Sequence, residues 1–290
     1  MQKIKIKIRM QVINSIKELQ KIISNLKHKG KIIGFVPTMG ALHQGHLSLI
    51  RNSKKQCDVT VCSIFVNPTQ FNDKDDYNKY PRNFDYDLKL LEQIQCDITF
   101  LPSEKEMYPE PDHREFEFGH IAELMEGAHR PGHFNGVAQI VSKLFEAVPA
   151  NKAFFGQKDF QQYVIIKDMV RQLSLDIEII PCPIVREESG LAMSSRNERL
   201  SVSERKIAAS ISKILTWSKE SYPQYTVPEL KKAVIDKFSK IKELDLEYFE
   251  IVEDKNLELI TNWNTNQKIV ACIAIFCGNV RLIDNIVFNL

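Results

Sequence analysis

Two histidines, His43 and His46, stand three residues apart in the run Gly34-Phe35-Val36-Pro37-Thr38-Met39-Gly40-Ala41-Leu42-His43-Gln44-Gly45-His46. Imidazoles at that spacing can face one ligand if His46 lies in the first turn of a helix. An apolar run, 32–36, leads into the loop, and an apolar helix-like segment, 47–50, follows it. A strand, a backbone-rich loop and a helix start together offer unpaired N–H groups and a positive dipole end to an anion, commonly a phosphate. The run lacks both the Gly-Lys-Ser/Thr of a Walker loop and the Gly-x-Gly-x-x-Gly of a dinucleotide site.

Further groups suited to phosphate chemistry lie downstream. Lys158, in Gly156-Gln157-Lys158-Asp159, sits where a short strand hands over to a helix and can meet a phosphate as a point charge. Gln162 would point from that helix's first turn towards the same opening. Ser194, Ser195 and Arg196 lie on one loop and can donate to triphosphate oxygens. Asn67-Pro68-Thr69-Gln70 follows the apolar run 59–66, and open α/β sheets take ligands just past the C-terminal ends of such strands. The stretch 127–136, dense in Gly, Pro and His and carrying Arg130, has the composition of an active-site cover. Each group also has a plainer reading: a turn at Asn67-Pro68, surface charges at Arg130 and Lys158, a capped turn at the serines.

The elements that must position these groups alternate. Helical spacing marks 14–27, 84–95, 137–147 and 160–172; strands are expected at 32–36, 59–66, 97–101, 152–155 and 176–180. That rhythm predicts an α/β, doubly wound, parallel-sheet (Rossmann-like) N-terminal domain. Residues 102–119 are expected to form a loop with a short strand. Composition changes after Asn197, and the domain boundary is placed near Val185. Ser201-Val202-Ser203-Glu204 and Thr226-Val227-Pro228-Glu229 fit capping boxes that open two helices, and strands at 246–252, 268–276 and 280–288 follow. The expected division is therefore 1–185 and a smaller α+β domain, 186–290.

Bulk properties bound the rest. At 290 residues, 43% hydrophobic, 26% charged and a net charge of +2, the chain suits a globular protein of two domains. Lys3, Lys5, Lys7 and Arg9 alternate with isoleucines, which reads as an exposed strand rather than a nucleic-acid arm. No run reaches the roughly 18 apolar residues of a membrane span, and no secretory h-region is visible. The six cysteines form no Cys-x-x-Cys pair. They read as buried reduced thiols, which favours the cytoplasm. Neither a nucleic-acid partner nor a membrane is expected.

Five blocks, in order, resemble the pantoate–β-alanine ligase family: Pro37 to His46, Ser63 to Phe71, Arg130 to Phe134, Phe155 to Gln162 and Gly190 to Asn197. The His-x-Gly-His core alone also marks a wider nucleotidylyltransferase superfamily. The resemblance implies a two-step ATP-dependent ligation. Pantoate is first adenylated with loss of pyrophosphate. The amine of β-alanine then displaces AMP. The resemblance further implies that Met39, Gly40, Ala41, Leu42, His43, Gln44, Gly45 and His46 contact ATP. Gly156, Gln157, Lys158, Asp159, Val185, Met193, Ser194, Ser195 and Arg196 are implied to do the same. His46 takes the place of a proton donor, and His43 and Lys158 join it as catalytic residues. Gln70 is implied for pantoate and β-alanine, Gln162 for pantoate, with Asn67 and Arg130 in support. The C-terminal domain would act as a lid, and a homodimer is implied. Mg2+ is expected on the phosphates without a dedicated protein cage, Asp85 and Asp87 being the nearby candidates. The chain departs from the family at Gln157, often Glu, and Thr69, often Met. Two rival readings are a transferase moving AMP onto a phosphate-bearing substrate and a non-catalytic nucleotide- or RNA-binding protein. The near-neutral charge and the lack of interleaved basic and aromatic residues oppose the second.

Overall fold

The structure is a computed structural model that describes residues 10–70, 77, 78 and 80–288. The alternating Lys/Ile stretch at the start lies outside the described residues. The chain folds into two compact units that interleave along the sequence. Unit 1 takes 1–116, 135–155 and 169–182; unit 2 takes 117–134, 156–168 and 183–290. Unit 1 thus ends three residues before the expected boundary at 185, and two inner segments group with the C-terminal part.

Unit 1 is built on a six-stranded sheet in the order β1-β4-β3-β2-β5-β6. Its strands are β1 (Gln11–Ile13), β2 (Ile33–Thr38), β3 (Val59–Ile64), β4 (Ile98–Phe100), β5 (Lys152–Gly156) and β6 (Glu178–Cys182). The registered pairs β1–β4, β4–β3, β3–β2 and β2–β5 are all parallel. β2, β3 and β4 are buried almost throughout. This is why they appear in the sequence as continuous apolar runs rather than alternating ones. The order reverses between β2 and β5, the position where such sheets open a crevice. Their registered pairing covers only Gly34–Lys152 and Phe35–Ala153, short of Pro37. β6 carries Pro181, which an edge strand tolerates.

The helices that alternate with these strands are α1 (Ile16–His28), α2 (Gln44–Gln56), α3 (Phe84–Gln93), α4 (His133–Ala147) and α5 (Phe160–Gln172). α2 buries Leu47, Leu49 and Ile50 with Val36, Cys62, Ile64 and Leu91. Its close approach depends on Gly34, since a Cβ there would stand 2.2 Å from Ser53 Oγ. That hydroxyl is itself paired with Thr60 Oγ1 at 2.8 Å. α4 begins at His133, four residues earlier than expected, because His133 and Phe134 are buried as its first turn. The strand expected within 102–119 is instead a helical turn, Glu104–Met107. Ser103 caps it by accepting the Glu106 N–H.

Unit 2 holds α6 (Val202–Ser221), α7 (Val227–Phe238) and a three-stranded antiparallel sheet of β7 (Leu244–Glu253), β8 (Ile269–Cys277) and β9 (Val280–Phe288). Both expected capping boxes are present, at Ser201/Glu204 and Thr226/Glu229. Leu215, Leu230, Val234 and Phe238 pack against Ile273 and Ile275 in its core. The six cysteines are free thiols. Burial pushes Cys96 up to about 12 and Cys182 up to about 11, so these two stay protonated and unreactive near neutral pH. Among the described residues no helix is long and apolar enough to cross a membrane.

Candidate active site

In unit 1 the loop after β2 runs straight into α2. His43 is the N-cap of that helix, and its Nδ1 accepts the Gly45 N–H at 3.1 Å. His46, in the first turn, accepts the His43 N–H on its own Nδ1 at 3.3 Å. A neutral imidazole that accepts at Nδ1 carries its proton on Nε2. Both rings are therefore Nε2–H donors, and their centroids lie 4.1 Å apart. The spacing of three noted in the sequence becomes a reciprocal cap that fixes two tautomers at a helix N-terminus.

The loop needs an unusual backbone. Gly40 and Ala41 both have positive φ, +80° and +50°, which costs about 1 kcal/mol or more at a non-glycine residue. Asp87, buried in the first turn of α3, offsets that cost. Its two oxygens accept the N–H groups of Ala41 (2.9 Å) and Leu42 (2.8 Å). Burial raises the Asp87 pKa above its ordinary value, while the Leu42 and Ala41 N–H groups pull against that rise. Glycine at position 40 also leaves room for this carboxylate, since a Cβ there would sit 2.9 Å from Asp87 Oδ2. A carboxylate whose oxygens each face an amide N–H is not disposed towards a cation, so Asp87 does not fit as a magnesium ligand. Asp85 is exposed. Among the described residues no group of three or more His, Cys, Asp or Glu is placed to hold a metal.

Beyond β3, Asn67 is fully buried and organises the next turn. Its Nδ2 reaches Thr69 Oγ1 (3.0 Å), Gln70 Oε1 (3.4 Å) and Gly136 O (3.4 Å), while its Oδ1 accepts from Tyr108 Oη at 2.8 Å. Gln70 Nε2 in turn lies 2.8 Å from Met39 Sδ. Unit 1 thus brings together Met39, the two histidines' loop, Asn67 and Gln70. Gln44 is exposed, and its Oε1 accepts from Arg51 Nη2 at 3.1 Å.

Unit 2 gathers the other predicted residues. An open cleft is lined by Arg130, His133, Lys158, Gln162, Tyr248 and Asn285, among others. The Lys158 side chain is 18% exposed, and its Nζ lies 3.4 Å from the carboxylate of its neighbour Asp159. Arg130 Nη1 stands 3.6 Å from Glu126. The segment bearing Arg130 is anchored twice. Gln161 accepts the Glu126 N–H (2.9 Å) and donates to Ile121 O and Leu124 O, each at 2.8 Å. The Glu126 carboxylate takes two bonds from Arg281 (2.8 and 2.7 Å) and one from Tyr248 Oη (2.8 Å). Burial would raise the Glu126 pKa, but Arg281 overrides it and holds the group down at about 2. In the remaining segment the Met193 N–H donates to Val185 O at 2.9 Å, so these two predicted residues meet. Ser194 Oγ caps the following turn by accepting the Arg196 N–H at 3.2 Å.

A family model described as pantoate-beta-alanine ligase matches residues 11–287. The chain belongs to the pantoate–β-alanine ligase family. Pantothenate synthetase from Bacteroides fragilis is 56% identical over 280 residues, 97% of this chain and 99% of its own. The crystal structure of pantothenate synthetase from Thermus thermophilus is 38% identical with a TM-score of 0.89, covering 96% of this chain and 99% of its own. A pantoate–β-alanine ligase structure from Francisella tularensis, complexed with beta-gamma ATP and β-alanine, is 37% identical with a TM-score of 0.79. That match covers 96% of this chain and 97% of the other. The protein is thus a ligase that joins pantoate to β-alanine, on a Rossmann-like sheet with a smaller antiparallel domain.

Several residues that organise the ligase were not singled out from sequence for the parts they play. Asp87 was read as a magnesium candidate or a first-turn helix acid, not as the support of the Ala41–Leu42 backbone. Its partners Ala41 and Leu42 lie 46 and 45 positions away. Glu126 and Arg281 are 155 positions apart, and Asn285 is 127 from Lys158. No periodicity or motif spacing carries such pairings.

Proposed function

We propose that the ligase works through an adenylate. A pantoate carboxylate oxygen attacks the α-phosphorus of ATP, the bond to the β-phosphate oxygen breaks, and pyrophosphate leaves. The β-alanine amine then attacks the acyl carbon of pantoyl adenylate and AMP departs, forming the amide of pantothenate. Negative charge spreads over phosphate oxygens in the first step, and donors aimed at that charge supply the largest share of catalysis. His43 and His46 act as Nε2–H donors, His46 taking the place of proton donor. Lys158 adds a fixed positive charge, with Ser194, Ser195 and Arg196 on further oxygens. Main-chain and side-chain contacts from Met39 to His46, Gly156 to Asp159, Val185 and Met193 hold ATP. Gln70 binds pantoate and β-alanine, and Gln162 binds pantoate. Both are neutral, so they orient the acid without quenching its nucleophilicity. Asn67 and Arg130 support them.

The observation that carries this reading is the reciprocal His43–His46 cap, which supports two Nε2–H donors at the start of one helix. The Gln70–Met39 contact supports placing the acid beside the nucleotide loop. Mg2+ enters on the triphosphate as part of the substrate. We further propose that the C-terminal region, 186–290, serves as a lid, and that the enzyme is a homodimer working in the cytoplasm. The test is incubation with ATP, pantoate and β-alanine. AMP formation that requires both substrates, with pyrophosphate released from ATP and pantoate alone, is the expected result. No turnover with pantoate would overturn it.

A further inference from the structure

Lys158 and the segment 185–196 carry roles in the proposed reaction, and both are held by two consecutive residues of β9. Asn285 is 2% exposed. Its Nδ2 donates to the main-chain carbonyls of Gln157 (2.8 Å) and Lys158 (3.0 Å). Two carbonyl partners settle which way the amide points, because the flipped oxygen would face two acceptors. Asp284, beside it and 4% exposed, takes a two-pronged bond from Arg186, at 2.6 and 3.0 Å. Arg186 also donates to Gly190 O (3.1 Å) and pairs with Ala192 across an isolated bridge. Its neighbour Val185 accepts the Met193 N–H. The middle of one strand therefore grips both unit 2 segments proposed to meet ATP.

We propose that Asn285 is a positioning residue for adenylation: by clamping the carbonyls of Gln157 and Lys158 it sets where Lys158 Nζ stands. The proposal rests on the role given to Lys158 above. A lysine reaches its target on a flexible four-carbon stem, so the direction in which its main chain launches it decides where the charge falls. Gln157 and Lys158 lie in the turn between β5 and α5, and Asn285 is a side-chain clamp on that turn from a rigid strand. Asp284 and Arg186 fasten the second segment to the same strand, which keeps the two segments in a fixed relation within unit 2.

The test is a double-mutant cycle on pyrophosphate release from ATP and pantoate, with Lys158→Ala, Asn285→Ala and the pair. A 1 Å misplacement of a reacting group can cost about 100-fold, so Asn285→Ala is expected to lower kcat by at least about 10-fold. In the Lys158→Ala background, the same change is expected to cost less than about 3-fold, because the charge it positions is gone. A merely structural asparagine would cost the same factor in both backgrounds, and that result overturns the proposal. So does an undiminished rate in Asn285→Ala beside a Lys158→Ala that is slow; the role of Lys158 then survives. If Lys158→Ala itself keeps full activity, the role given to Lys158 falls first, and this inference with it. Should Asn285→Ala fail to fold, Asn285→Ser, which keeps one donor, takes its place in the cycle with the same two expected factors.

Discussion

The histidine loop of unit 1 and the lysine turn of unit 2 are built in opposite ways. The histidine loop is largely self-made. His43, Gly45 and His46 cap one another within four residues, and Asp87, which supports it from a distance, is 45 positions from Leu42. The lysine turn is made by others. Asn285 reaches it from 127 positions away, and Arg281 anchors the neighbouring Arg130 segment through Glu126 from 155. A turn built this way can be disabled by substitutions that touch neither substrate nor motif. The histidine loop has fewer such distant supports, Asp87 being the one described above.

The largest effect expected to test that contrast is on stability. Arg281→Ala leaves Glu126 buried without its main cation, and breaking such a pair costs about 3–5 kcal/mol. Urea unfolding would read it, and a loss under about 1 kcal/mol would show that unit 2 does not lean on this pair. The same pair sets an acid limb. Glu126 falls from its ordinary 4.5 to about 2 in the folded chain. A carboxyl with a lowered folded pKa favours folding when ionised. Its contribution is therefore complete above about pH 4.5 and fades as pH falls towards 2. The melting temperature of the wild type should decline across that window, and that of Arg281→Ala should decline less.

Next in size come the donors themselves. His46→Ala and Lys158→Ala are each expected to slow pyrophosphate release by at least about 100-fold, the scale of losing one charge-stabilising donor. An unchanged rate in either removes that residue from the mechanism. The smallest effect belongs to Asp87→Asn. The amide can accept one N–H but turns its own NH2 towards the other, so the Gly40–Leu42 backbone loses part of its support. A fall of about 10-fold in kcat/KM for ATP is expected, about 1.4 kcal/mol, with the KM for β-alanine unmoved. A fall confined to β-alanine would show that Asp87 does not act through the nucleotide loop.

The same contrast explains what could be read from the chain beforehand. The parallel sheet was legible because β2 and β3 are buried on both faces and leave continuous apolar runs. The histidine loop was legible because capping is a matter of three or four positions. The helical turn at Glu104–Met107 was missed although Ser103 and Glu106 carry a capping signal, because four residues give too short a pattern beside Pro and acidic neighbours. Asp284 and Asn285 gave no signal, since an Asp-Asn pair inside an apolar strand looks like a solvent-facing interruption until its partners are known. The interleaving of the two units was hidden for a similar reason: 117–134 and 156–168 join unit 2 through contacts, not composition.

The clamp on the lysine turn also has a consequence in time. During synthesis the chain emerges N-terminus first, and β9 comes out after every other segment of the proposed site. The histidine cap can form while most of unit 2 is still unmade, because its partners are already present. Lys158 will have left the ribosome about 127 residues before Asn285 does, several seconds at ordinary elongation rates. A growing chain would thus hold a finished histidine loop and an unfinished lysine turn, and that turn would be clamped only as β9 forms.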